Sequence, residues 1–89
     1  MNKQTTMRAK LLVQNVAIQK DDKDQTIGER VRFCGVSKAE GYDASGLDED
    51  NTYAKYSPSA EFDVTILNPA LFGKFQYGQK YYVDFIPAE

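Results

Sequence analysis

Residues 48–52, Asp48-Glu49-Asp50-Asn51-Thr52, spell the D-x-D-x-T string with which aspartate-based phosphotransferases attack phosphorus. That chemistry needs the first carboxylate aimed from the end of a buried parallel strand, adjacent to its activating groups. Here Ser45-Gly46-Leu47 leads in instead of an apolar strand, and 89 residues are too few for such a fold. The same acids are hard oxygen donors for calcium or magnesium, but an EF-hand loop requires acidic ligands at positions 1, 3 and 5, glycine at 6 and glutamate at 12. Counted from Asp43, the third and fifth positions are Ser45 and Leu47, and Asp48 stands where glycine belongs. A solvated acidic loop without metal is the expectation.

Cys34 has Arg32 and Lys38 nearby in sequence, and cations lower a thiol pKa. A cysteine hydrolase also needs a base, and the chain contains no histidine. The absence of histidine removes the commonest general base and the commonest metal ligand together. Cys34 is therefore expected to be a packed thiol. The residues point to no enzyme and no cofactor.

Cations form a third candidate site. Arg8 and Lys10 alternate with apolar neighbours on one prospective strand, and Arg30 and Arg32 do so on the next. Paired as a hairpin, the strands put all four on one face, where they could track phosphates while tyrosines stack bases. The competing reading is cross-strand pairing with Glu61 and Asp63, and it is favoured because adjacent like charges need relief. Net charge is −2, with residues 1–38 carrying eight bases and four acids and residues 39–89 three bases and nine acids. In a chain this short, such asymmetry suggests halves that pair with each other.

The positioning elements follow from period-2 alternation. Met7, Ala9, Leu11 and Val13 share a phase that flips to Val16 and Ile18, so a bulge is expected within 12–15. After a polar turn at 20–28, Val31 and Phe33 point inward and Arg30 and Arg32 outward, and Gly35 marks a bulge or close backbone approach. Residues 7–19 and 29–38 are expected to pair antiparallel across that turn. Phe62, Val64 and Ile66 alternate with Glu61, Asp63 and Thr65, predicting a strand with the first three buried. Asn68-Pro69 starts one helical turn ended by Gly73, and Phe72 and Phe75 read as a corner plug. Tyr81, Val83 and Phe85 share one face of a last strand. Between the second and third strands, residues 39–59 hold five acids, two glycines and a proline with no period, a loop length that is usually functional or disordered.

The expected fold is all-β: a small antiparallel β-barrel or sandwich of four to five strands, with one short helical turn and one long acidic loop. Residues 1–6 are expected to be a flexible terminus and 7–89 one β domain. Hydrophobic residues at 42% and charged residues at 27% are globular proportions, and six tyrosines with five phenylalanines suffice for a core. No run of 18 apolar residues suggests a membrane span and no apolar leader suggests secretion. The lone cysteine fits a reducing compartment, the cytosol.

The order of motifs resembles that of small uncharacterised proteins of tailed bacteriophages. It is carried by residues 48–52, Ser57-Pro58-Ser59-Ala60, the alternation at 62–66, Asn68-Pro69-Ala70-Leu71 and Gly78-Gln79-Lys80-Tyr81-Tyr82-Val83-Asp84-Phe85. The likeness covers roughly residues 7–88 and brings no activity or site residues with it. It implies a phage origin and work in the host bacterial cytoplasm or the virion. With the missing catalytic groups, the expectation is a non-catalytic accessory that binds another protein, phage or host. Tyrosines on loops of a rigid β scaffold are common anchors, so Tyr42, Tyr53 and Tyr56 are taken as contact residues. The acids between them, Asp43, Asp48, Glu49 and Asp50, complete that surface. The alternative is an OB-like binder of single-stranded nucleic acid or nucleotide through Arg8, Lys10, Arg30 and Arg32.

Overall fold

Alternation of apolar and polar residues organises the chain into four antiparallel strands. The computed structural model describes residues 4–89; the first three positions of the expected flexible terminus lie outside them. The strands are β1 (Met7–Lys20), β2 (Thr26–Gly35), β3 (Glu61–Ile66) and β4 (Lys80–Phe85), with a 3-10 turn at Pro69–Leu71. They lie side by side as β3-β2-β1-β4, the strand order of a Greek key. The sheet is not closed into a barrel, and no second sheet stands against it among the described residues. The molecule measures 55 × 34 × 15 Å. The thin axis spans the one sheet and the loops laid on its face.

The bulge is where the phase flip places it. The β1–β2 register steps from Val13 opposite Phe33 to Asn15 opposite Arg32, leaving Gln14 unpaired. Val13 and Val16 thereby face the same side, opposite Phe33 and Val31. A second shift lies between Gln19 and Lys20. Gly35 is a close approach rather than a bulge: a Cβ there would stand 3.0 Å from the Tyr53 hydroxyl and 3.3 Å from the Ala60 nitrogen. Its N–H donates to the Ala60 carbonyl at 2.9 Å, seating the long loop on the sheet.

Ala9, Leu11, Val13, Val31, Phe33 and Ile66 form the buried core on one face. Two irregular segments cover part of it. The β3–β4 connection crosses that face and packs Phe72 and Phe75 on the core, as a corner plug would, while the long loop adds Tyr53 and Ala60. Phe33 meets Phe62, Phe75 and Tyr81 at centroid distances of 5.7, 5.6 and 6.2 Å, an aromatic cluster at the centre. Asn68 caps the 3-10 turn by accepting the Ala70 N–H at 3.1 Å.

Strand β3 has the expected faces but not the expected depth. Glu61 and Asp63 are exposed and Ile66 is buried, yet Val64 is half-buried and Phe62 is 44% exposed. The reason is position: β3 is an edge strand, with β2 on one side only.

Candidate functional site

The acidic loop is bolted to the sheet by its polar side chains. Strand β1 begins beyond the reach of β2, so the edge at Arg8 and Lys10 needs other partners. Thr52 supplies them by donating its N–H to the Arg8 carbonyl and accepting the Arg8 N–H at Oγ1, both at 2.9 Å. Asn51 Oδ1 accepts the Lys10 N–H at 2.7 Å, and its Nδ2 donates to the Val36 carbonyl at 2.8 Å and to Asp48 Oδ2 at 3.0 Å. Asn51 is 0% exposed and Asp48 is 3% exposed. Asp48 further accepts N–H bonds from Asp50 at 2.8 Å and from Asn51 and Lys38 at 3.3 Å each. Burial pushes the Asp48 carboxyl up, but these bonds together outweigh it and hold the group below the usual aspartate range.

The D-x-D-x-T string is thus a clasp standing in for a missing strand. Among the contact residues expected on this loop, Asp48 has its oxygens engaged by the chain itself. Glu49 is exposed and meets the Lys38 ammonium at 3.0 Å, while half-buried Asp50 lies 3.6 Å from the Lys10 ammonium. Asp43 accepts the Ser45 hydroxyl and N–H within a tight turn, and these bonds lower its pKa. Tyr56 donates to the Ala44 carbonyl at 3.1 Å, its ring lying where a Cβ on Gly46 would fall. Tyr42 and Tyr53 turn inward and their hydroxyls are buried without a protein partner. Burial, then the nearby Asp48, pushes the Tyr53 phenol up. Among the described residues no group of three or more His, Cys, Asp or Glu is placed to hold a metal ion.

The four cations share the polar face, but as two separated pairs. Lys10 and Asn15, the residue opposite Arg32, lie roughly 16 Å apart along β1 at about 3.3 Å per residue. Arg8 grips Asp84 through two bonds of 2.7 and 3.0 Å and lies 4.9 Å from the Tyr82 ring centroid. Arg30 and Arg32 share Asp63 at 3.9 and 3.1 Å. Hydrogen bonding to the partner raises Arg8 and Arg32 and lowers Asp84 and Asp63. Glu61, the other expected partner, stands opposite Cys34, which is half-buried.

On the opposite face lies a groove of about 330 Å³. Ala9 and Leu11 floor it, Met7, Val83 and Phe85 form one wall, and Tyr53, Ala60 and Phe62 form the other. Its flanking rings are open to solvent, Phe62 at 44% and Phe85 at 48%. Of the expected contact residues, only Tyr53 reaches it. Sequence reasoning placed Phe62 and Phe85 on the correct face and missed the groove, because alternation does not tell which strands end at the sheet edge.

A second missed feature is Glu29. Alternation puts it in phase with Val31 and Phe33, so the sequence itself sets a carboxylate on the apolar face. No helix among the described residues is long and apolar enough to cross a membrane. Compared with known proteins, the chain matches no family model, no curated protein and no solved structure.

Proposed function

We propose that the chain is a non-catalytic protein-binding module whose apolar groove receives a short partner segment bearing one or two large apolar side chains. The observation that carries this reading is the groove itself, in a one-layer sheet with Phe62 and Phe85 left exposed. A sheet ordinarily buries its apolar face against a second layer, and contiguous exposed apolar surface marks interaction sites. In this reading the layer expected of a barrel or sandwich is completed by the partner.

Size argues for an inserted segment rather than a second copy. Ten described residues line the groove, against about 20–30 per side in a stable interface. A volume of about 330 Å³ sits at the low end of ligand pockets, about 300–1,000 Å³. Glu61, an exposed acid in the groove's lining, favours a basic residue beside the anchor. We further propose, from the resemblance of its motif order to that of small tailed-phage proteins, that the partner is a phage or host protein and that the module acts in the host cytoplasm or the virion.

Selection from a displayed random-peptide library tests the reading. Enriched peptides carry large apolar anchors and lose binding to Phe62→Ser and Phe85→Ser. No enrichment, or enrichment indifferent to both substitutions, overturns it. Retardation of single-stranded DNA at low salt, abolished by Arg30→Ala with Arg32→Ala and untouched by Phe62→Ser, would put nucleic-acid binding in its place.

A further inference from the structure

A second cavity lies at the other end of the apolar face. Strand β4 accompanies β1 only as far as Leu12. Beyond that point Val13 donates its N–H to the Gln79 carbonyl at 2.8 Å and accepts the Gly78 N–H at 2.9 Å. From residue 15 to 20 the edge of β1 turned away from β2 has no strand beside it among the described residues. Unpaired N–H and C=O groups on such an edge are a template for another strand. Beside it opens a cavity of about 310 Å³, lined by Val16, Ile18, Phe75, Tyr77 and Glu29 among others.

Glu29 is the residue the rest of the fold leaves unexplained. It stands opposite Ile18 on β1 and Ile66 on β3, on the apolar face, and is 3% exposed. One carboxyl oxygen accepts the Gly73 N–H at 2.8 Å, while the other, Oε1, is buried with no hydrogen-bond partner. No Lys or Arg among the described residues lies within salt-bridge distance of it. A buried carboxylate oxygen without a donor is costly, and the group that relieves it must donate, preferably with a positive charge.

The cavity's shape selects the donor. A strand added to β1 would lie about 4.8 Å from it, with β2 a further 4.8 Å away, so about 10 Å separates the added backbone from that of Glu29. Only a long side chain spans that gap to meet the carboxyl group. Phe75 and Tyr77 line the route, and a planar guanidinium stacks on aromatic faces while offering a fork of donors to a carboxylate. We propose that this cavity receives an arginine side chain, presented by an extended segment of the partner protein that adds to the free edge of β1. The proposal rests on the protein-binding reading and names the chemistry of its partner.

The test titrates the 15N-labelled chain with N-acetylarginine amide, and in parallel with N-acetylcitrulline amide, its uncharged isostere. The arginine compound shifts the Gly73 and Ile18 amide resonances saturably, and the citrulline compound binds about tenfold more weakly or less. Glu29→Gln keeps an acceptor for the Gly73 N–H and erases the preference. Equal binding of the two compounds, or a preference that survives Glu29→Gln, overturns the proposal. Should that variant fail to fold, the arginine–citrulline comparison on the unaltered chain decides alone. Library peptides that need Phe62 while the chain prefers neither compound would sink this inference and leave the groove standing. An arginine preference with no peptide selected would do the reverse.

Discussion

Asn51 shows how one amide holds an irregular segment in place. Its side chain satisfies the Lys10 N–H, the Val36 carbonyl and an Asp48 oxygen at once, with no exposure to water. Asn51→Ala leaves those groups unpaired in a dry site, where each orphan costs about 1–3 kcal/mol, less where water enters. The expected loss is about 3 kcal/mol, read from chemical denaturation at neutral pH, and a loss below about 0.5 kcal/mol would refute the clasp. Asp48 makes the clasp sensitive to acid. Its folded pKa lies below the unfolded value, so its contribution is present above about pH 4 and is lost as pH falls from there through the folded pKa. Stability should therefore decline from pH 5 to pH 3, and the decline should be shallower in Asp48→Asn. An unchanged slope would mean that the exposed carboxylates set it instead. None of this was legible in the sequence. A run of acids looks alike whether its carboxylates meet water or backbone N–H groups, and nothing local in the string sets Asn51 apart from a solvated asparagine.

At the scale of elements, the bulge in β1 was legible because a period of two is unforgiving. Val13 and Val16 both face the core, which requires one extra residue between them, and that residue is Gln14. Removing Gln14 leaves Val13, Asn15 and Val16 in plain in–out–in alternation, so the deletion variant should keep a cooperative thermal transition. Removing Arg32 is the contrast. It turns Phe33 to the polar face and takes the centre of the aromatic cluster with it, and the cooperative transition should vanish. Equal behaviour of the two deletions would show that register is not set by this face. Depth of burial was not legible in the same pattern. Phe62 obeys the alternation of Val64 and Ile66 and is still half open, because depth depends on which strand becomes an edge. That is settled by the order β3-β2-β1-β4, which no local window contains.

For the whole molecule, the uneven charge along the chain is resolved by pairing between halves. Arg8 with Asp84, Lys10 with Asp50, Arg30 and Arg32 with Asp63, and Lys38 with Glu49 each join a cation from residues 1–38 to an acid from 39–89. These pairs are largely at the surface, where solvent screening leaves each of them little net stability, so their main effect is to neutralise the polar face. The apolar face remains the asymmetric feature, and its consequence is measurable without knowing the partner. One uncovered part is the groove flanked by two half-exposed phenylalanines, too narrow for the broad contact of a stable dimer. The chain should sediment as a monomer at micromolar concentration and, while natively folded, bind an apolar fluorescent dye such as ANS. Phe62→Ser with Phe85→Ser should abolish most of the dye signal and keep a cooperative melt, since neither ring is fully buried. A dimer that this double substitution converts to monomer would instead make a second copy of the chain the occupant of the groove, because the same two rings would then be covered before any partner arrives.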